Sequence, residues 1–575
     1  MISFTVVRLM KHKNLTHLSA GLGLALLAGT ANAISIDSSI DGIWWEGEEK
    51  WGRGIILHVT DEVTGEKMNP RLIMDWFTYD NNGNQIWLHG SKEIEGSGNA
   101  LTLDLARLTG GRFDDQHRYA DTTTTNWGTA TLTFDDCGSG KIEFSGQDGS
   151  GTYTLMRRTK AKGTQCVYDK PFERCPDFAQ PMSQPGYCLL QGEIKQNVTL
   201  TNNITWVLQG GVFFGGDNTD SVTVTIEPGT KIMGQQAADF FYVRRGSKIN
   251  AVGAPDAPII FTGPLEQTPG EWGGLVIAGN APVNGCNEGV DLCEQQDEAM
   301  LTPYGGNDPH DNSGILKYVQ IRWAGYAVRP DQELNGFTLL GVGDGTQIDY
   351  VEIYEGLDDG IEFFGGTANA RHLVLVNNHD DSLDWGGGWT GKVQYVLAKQ
   401  ADNDADRCIE ADNNETNFDS QPRAKPAISN FMCLGSASGS QGAELRRGTG
   451  ANIHNSVFVG SPSACIRISD AATFTNAGTP GNLTGELTID HSYVNCPTNF
   501  KDGSGATFSV ADWFNSQAGN HEADPQLEGY LPKDGSPLIS GGAPVTDDSF
   551  FDGVDYIGPF KSKYDDWTKG WTIGL

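Results

Sequence analysis

The chain has 575 residues, with 73 acids against 40 bases and a formal net charge of −33. That balance speaks against nucleic acid or an anionic membrane as partner and favours cations, or plain solubility in a saline setting. After the leader, no apolar run approaches the length of a membrane span.

In chain order, Lys11 and Lys13 precede the apolar run Leu22–Ala28, which ends in the small-residue site Ala31-Asn32-Ala33. Residues 1–33 therefore read as a signal peptide, with Met10 an equally good start. The expected location is secreted, extracellular or on the outer cell surface, with the periplasm also open. All ten cysteines follow this segment. An even count in an oxidising compartment predicts bridges, and pairing of neighbours gives 137–166, 175–188, 286–293, 408–433 and 465–496.

Residues 35–166 read as a small antiparallel β domain. Short alternating runs (Ile55–Val59, Leu72–Phe77, Gln85–His89, Ala100–Leu103, Thr129–Phe134, Lys141–Phe144 and Gly151–Leu155) are separated by turns such as Asn81-Asn82-Gly83-Asn84. Six of the fourteen tryptophans fall here: Trp44, Trp45, Trp51, Trp76, Trp87 and Trp127. Core burial explains most of them. Because Trp44 and Trp45 are adjacent, a strand turns one ring outward, where it is available to stack on a sugar.

Residues 167–191 are a Cys- and Pro-rich linker. From residue 192 to 545 the chain is a series of short strands with Gly-rich turns, lengthened by insertions at Asn280–Gly314 and Asn413–Ala427, and residues 546–575 are assigned as a C-terminal cap. Tyr350-Val-Glu-Ile, His372-Leu-Val-Leu and Gln394-Tyr-Val-Leu recur at a spacing of 22 residues. Behind them come Asp358-Asp-Gly-Ile-Glu362, Asp380-Asp-Ser-Leu-Asp384 and Asp406-Arg-Cys-Ile-Glu410. A repeat of this length implies a coiled parallel sheet in which equivalent residues stack. The fold class is all-β: a parallel β-helix preceded by a small antiparallel domain.

Thr225-Ile-Glu-Pro-Gly-Thr-Lys-Ile, Asn312-Ser-Gly-Ile-Leu-Lys-Tyr-Val-Gln-Ile, Leu334-Asn-Gly-Phe-Thr-Leu, Asp358-Asp-Gly-Ile-Glu-Phe-Phe-Gly-Gly and the terminal Asp566-Trp-Thr-Lys-Gly-Trp carry a resemblance. They resemble a bacterial family of secreted or outer-surface right-handed parallel β-helix proteins, pectate-lyase-like solenoids. The resemblance implies the fold rather than a reaction. Gly42-Ile-Trp-Trp and Asp75-Trp-Phe-Thr-Tyr-Asp are similar to a small Trp-rich module of exported proteobacterial proteins.

The repeats concentrate charge. Asp344–Asp412 contains fifteen acids and four bases. Strand alternation turns Glu362, Asp384 and Glu410 outward, and coils about 4.8 Å apart bring each carboxylate within roughly 3 kcal/mol of repulsion of the next. Relief comes from a hard cation, from retained protons or from basic neighbours. Calcium suits oxygen-only ligands, which makes Asp358, Glu362, Asp380, Asp384, Asp406 and Glu410 its expected ligands; a solvated acidic face is the equal alternative. The groove that results is expected to bind polysaccharide or cell-surface glycan, with Trp44, Trp45, Trp389 and Arg446 as contacts. The Asp-Asp-x-apolar turn is also similar to one in pectin-type glycoside hydrolases. That similarity makes Asp358, Asp359, Asp380 and Asp381 acid–base candidates and leaves Arg446, Arg447 or Arg467 as a lyase base, although the Gly-His-Gly and Arg-x-Lys elements are missing. A structural surface protein or adhesin is the third reading.

Overall fold

The computed structural model describes residue 36 and residues 38–575, apart from 48–51, 65–66, 95–98, 111–120, 135–136, 160–173, 185, 256, 288–289, 291, 298–301, 330–331, 404 and 547. The leader, Trp51 and Cys166, and with them the 137–166 bridge, lie outside the described residues. The four other expected bridges are present. Among the described residues no helix is long and apolar enough to cross a membrane.

The first unit is a closed antiparallel barrel of eight strands: β1 (Gly42–Trp45), β2 (Gly54–Thr64), β3 (Lys67–Tyr79), β4 (Gln85–Glu93), β5 (Ala100–Gly110), β6 (Thr122–Phe134), β7 (Ser139–Gly146) and β8 (Gly149–Arg157). Trp44, Trp76 and Trp127 fill its core with Phe134 and alternating aliphatic residues. In β1 the inward ring is Trp44, whose Nε1 donates to the Ile40 carbonyl.

The second unit is a parallel β-helix of three strand columns. Column A runs from Val198–Leu200 to Leu487–Asp490, and column B from the first half of Tyr187–Ile194 to His521–Glu522. Column C runs from the second half of Tyr187–Ile194 to Phe500–Asp502. In the repeats a single strand such as Gln347–Tyr354 serves both A and B by bending sharply at one residue. That residue is left-handed at Tyr318, Tyr350, His372, Tyr395, Asn430, Asn455 and His491, with φ between 46° and 63°. A side chain at such φ costs about 1 kcal/mol or more. Stacking of the rings compensates, with centroids 4.5 Å apart for Tyr318–Tyr350, 4.2 Å for Tyr350–His372 and 4.9 Å for His372–Tyr395.

The ends of the coil differ from expectation. The linker assigned to residues 167–191 ends earlier, because Tyr187–Ile194 is already the first strand of the coil. The cover of the first coil is the segment around Phe178, whose ring stacks on Trp206, and Gln180–Pro181, which pairs antiparallel with the first strand. At the far end, a short helix (Val510–Ser516) buries Val510, Trp513 and Phe514 in the core. The C-terminal segment is therefore not a cap on the last coil. It runs back along the side of the helix over the bend and the outer face of column B. Asn455 exchanges hydrogen bonds with the backbone of Ala543, and Asn430 donates to the Tyr556 and Gly558 carbonyls. Gln394 exchanges with Asp552, and buried Glu352 accepts from the N–H groups of Ile573 and Gly574. Trp571 packs on Val374 and Val376 with its ring against Tyr350. Polar side chains on the coils thus satisfy a strap that has no ladder of its own.

Because Trp571 is 2% exposed, Trp571→Ala is expected to destabilise the helix unit by about 3 kcal/mol. Equilibrium denaturation followed by near-UV circular dichroism reads this, and an unchanged transition means that the strap does not pack as described.

Candidate carbohydrate-binding cleft

Column C carries the acids. Its inward residues stack as Ile361, Leu383, Ile409 and Ala443, while the next position in each strand points out and stacks as Glu362, Asp384, Glu410 and Glu444. Arg467 and then Lys501 extend the same column. The preceding turn is also in register: one oxygen from each of Asp358, Asp359 and Asp380 lies within 4.8 Å of the others, and Asp380, Asp381 and Asp406 form a second such group.

The two aspartates of each turn have different roles. Asp358 and Asp380 face the cleft, which the buried Asp359 also borders. Asp359 and Asp381 are buried and tie coil to coil: Asp359 accepts the N–H of Asp381 at 3.0 Å, and Asp381 accepts that of Arg407 at 2.6 Å. Asp381 also receives the Arg407 guanidinium and does not line the cleft, so it is a structural link rather than an acid–base group.

Three arginines neutralise the upper end of the acid column. Arg407 reaches Asp381, Asp406, Glu410 and Glu444. Arg446 binds Glu410 and Asp412, and Arg447 binds Asp412 and Glu415. The lower end differs: one oxygen from each of Asp359, Glu362 and Asp384 falls within 4.8 Å of the others, and Glu362 accepts from Asn335 at 2.6 Å. Burial, followed by repulsion from Asp384, Asp358, Asp381 and Glu362, pushes the Asp359 carboxyl well above the usual range. Burial and the charges of Glu410 and Asp412 raise Asp384 likewise, against the pull of Arg446. Glu410 is pushed up to about 7 by burial, even with Arg407 and Arg446 beside it. Glu444 moves the other way: burial is outweighed by hydrogen bonds from Ser469 and Arg407.

Glu362, Asp384 and Glu410 floor a cleft of about 470 Å³, which Glu444 does not line. The Asp358–Asp359 and Asp380 turns form one wall. The opposite wall comes from the two long insertions, through Asn284, Gln295 and Tyr304 of the first and Asn414, Glu415 and Thr416 of the second. The insertions are locked together: Asn284 donates to Asn413, Asn414 donates to Asn284, and the Asn284 N–H donates to the Gly387 carbonyl of an intervening coil. 

Among the expected contacts, Arg446 lies in the cleft. Trp389 does not: its ring is buried against Phe363 at 4.0 Å, with Nε1 donating to the Ala368 carbonyl, because the glycine turn before it folds the side chain inward. Trp44 is equally unavailable, inside the barrel, while Trp45 is half-buried on the barrel's outer face. Asp406 is occupied by Arg407 rather than facing the cleft. Sequence reasoning missed Glu444, Asp412 and Asn335. Gln441-Gly-Ala-Glu-Leu repeats the Ile-Glu-Ala pattern, but the insertion stretches its spacing from Glu410 to 34 residues.

Residues 192–572 match the family described as "Pectate-lyase like beta helix domain". The chain belongs to that family. No curated protein sequence matches it significantly. Among solved structures, the chain is similar to one titled as the periplasmic alginate epimerase AlgG, at 11% identity and a TM-score of 0.20, over 59% of this chain and 79% of that one.

The raised carboxyls retain protons in the native state that the unfolded chain releases near 4.5. The stability that these groups contribute is thus fully present below that value and is lost as pH rises to about 7. Thermal melts between pH 4 and 8 in chelator are expected to show this decline, and Asp384→Asn to flatten it. A midpoint that rises across that range contradicts the charge arrangement.

Proposed function

We propose that this β-helix acts on a polysaccharide laid across column C, with the lower carboxylates holding calcium. The observation that carries the reading is the cleft itself, a walled trough whose floor is one carboxylate per coil for three coils, Glu362, Asp384 and Glu410. Extended polymers bind solenoids along such faces. The pectate-lyase-like family membership supports a glycan as ligand. The Asp359–Glu362–Asp384 group offers oxygen ligands only, as calcium requires. The arginines already serve the upper group, which makes the lower one the better cation site. Four disulfides among the described residues support an oxidising, exported setting.

A second reading rests on protonation. Glu410 near 7 and the raised Asp384 are carboxyls able to give a proton at neutral pH, as a general acid in glycosidic cleavage must. Asp358 and Asp380, on the turn wall, are the carboxylates positioned to act opposite them.

Two measurements test these readings. Calcium at about a hundred times its dissociation constant is expected to raise the melting midpoint by about 5 °C, and Glu362→Gln and Asp384→Asn to abolish the rise; a midpoint indifferent to calcium removes the ion from the proposal. Incubation with neutral glycans and polyuronates, followed for reducing ends and for unsaturated product, separates reaction from binding. Retention without product leaves a binding protein, and Asp384→Asn is expected to abolish any cleavage by at least a hundredfold.

A further inference from the structure

The cleft over column C is strongly acidic, and its few cations are already engaged. Among its described lining residues eight side chains are acids and two, Arg446 and Arg447, are bases. The first insertion, Asn280–Gly314, contains no lysine or arginine. Even with protons retained on Asp359, Asp384 and Glu410, the remaining carboxylates outnumber the two guanidinium groups.

Asp412 is the residue that engages both arginines. Leu445 pairs with Ala411, so Arg446 stands one coil above Asp412, and Arg447 follows it. Arg446 donates to Asp412 from Nε at 2.8 Å and from Nη2 at 3.2 Å, and Arg447 donates from Nη1 at 2.7 Å. Asp412 is 7% exposed and its own N–H donates to the Trp385 carbonyl, which holds the carboxylate in place. The second acid on Arg447 is Glu415, at 2.6 Å, and the second on Arg446 is Glu410. Both guanidinium groups, the shape that best receives a sugar carboxylate, are thus turned onto protein carboxylates. In the coil below, the position equivalent to Asp412 is Gly386, with Gly387 after it, so the lining beside the clasp carries no side chain and has room for a sugar ring. The opposite wall presents the carboxamides of Asn284, Gln295 and Asn414, groups that bond hydroxyls either as donor or as acceptor.

We propose that the cleft is specific for an uncharged polysaccharide, and that Asp412 sets this specificity by withholding Arg446 and Arg447 from a uronate carboxylate. The proposal rests on the reading of the cleft as a polysaccharide site and adds the class of sugar. Sugar hydroxyls donate to the carboxylates of the floor and exchange hydrogen bonds with the wall carboxamides. A uronate in the same place brings a negative charge among acids, with no cation left to receive it.

Affinity electrophoresis of the full chain at about 0.15 M salt, in calcium and in chelator, tests this. The gels carry sodium polygalacturonate, its fully methyl-esterified and so uncharged form, sodium alginate, xylan, galactomannan or dextran, and migration is compared with a polymer-free gel. Retardation by at least one uncharged polymer and by neither polyuronate is expected. Asp412→Asn should strengthen binding to a polyuronate about tenfold, with unchanged far-UV circular dichroism confirming the fold. Glu415→Gln, at a side chain 75% exposed and so harmless to folding, should give a smaller gain in the same direction. Asp512→Asn, on the short helix Val510–Ser516, makes the same change of charge outside the cleft and should gain nothing. Retardation of the unaltered chain by a polyuronate, whether direct or only in calcium, overturns the specificity and leaves the polysaccharide reading standing. Absence of a gain in both cleft variants overturns the role of Asp412. Absence of retardation by every polymer removes the polysaccharide reading and this inference with it.

Discussion

Every side chain on a parallel β-helix has its counterpart one coil away, at about 4.8 Å, and the molecule is organised by that enforced proximity. For apolar groups the spacing is favourable: Ile361, Leu383 and Ile409 form a dry column. For flat rings it is favourable too, and it lets Tyr350 and His372 occupy a backbone region that β-strands otherwise avoid. For like charges it is unfavourable, and the acid column is the place where the fold works against itself. Such local conflicts are characteristic of sites rather than of scaffolds.

The conflict is resolved unevenly. Arg407 occupies the turn position that holds Asp359 and Asp381 in the two coils before it, so a single Asp-to-Arg exchange in the repeat converts repulsion into a four-carboxylate clasp. Arg446 extends the neutralisation to Asp412. Below them Asp359, Glu362 and Asp384 face one another with their proton affinity raised or their oxygens converged. The gradient of compensation along one column separates the part that is structural from the part that is chemically available.

Much of this was legible in the sequence. A 22-residue step from Glu362 to Asp384, the repeated turn motif that precedes Glu410 26 residues later and strict alternation together imply both the register of these three acids and their outward direction, because both follow from local geometry. The alternation also implied that one of Trp44 and Trp45 faces out, although only the pairing of β1 with β2 and β8 decides which. Glu444 was hidden by the insertion that builds the cleft wall, since a lengthened coil breaks the period while keeping the register. Trp389 was misread because a glycine turn resets the alternation. The strap was illegible for a different reason: its partners lie far away in sequence, such as Glu352 with Ile573 at a separation of 221 residues, and no local pattern encodes such a contact.

That separation has a consequence for how the molecule is made. Synthesis delivers Glu352 long before the amides that receive its carboxylate, and until Ile573 arrives the outer face of several coils stays wet and the glutamate hydrated. Neighbouring turns are able to wind as they emerge, but the lateral seam closes only when a distant stretch of polypeptide is laid over it. Contacts between coils are thus local in sequence, whereas the seam joins residues more than 200 positions apart, and its closure is expected to follow the winding of the coils it covers.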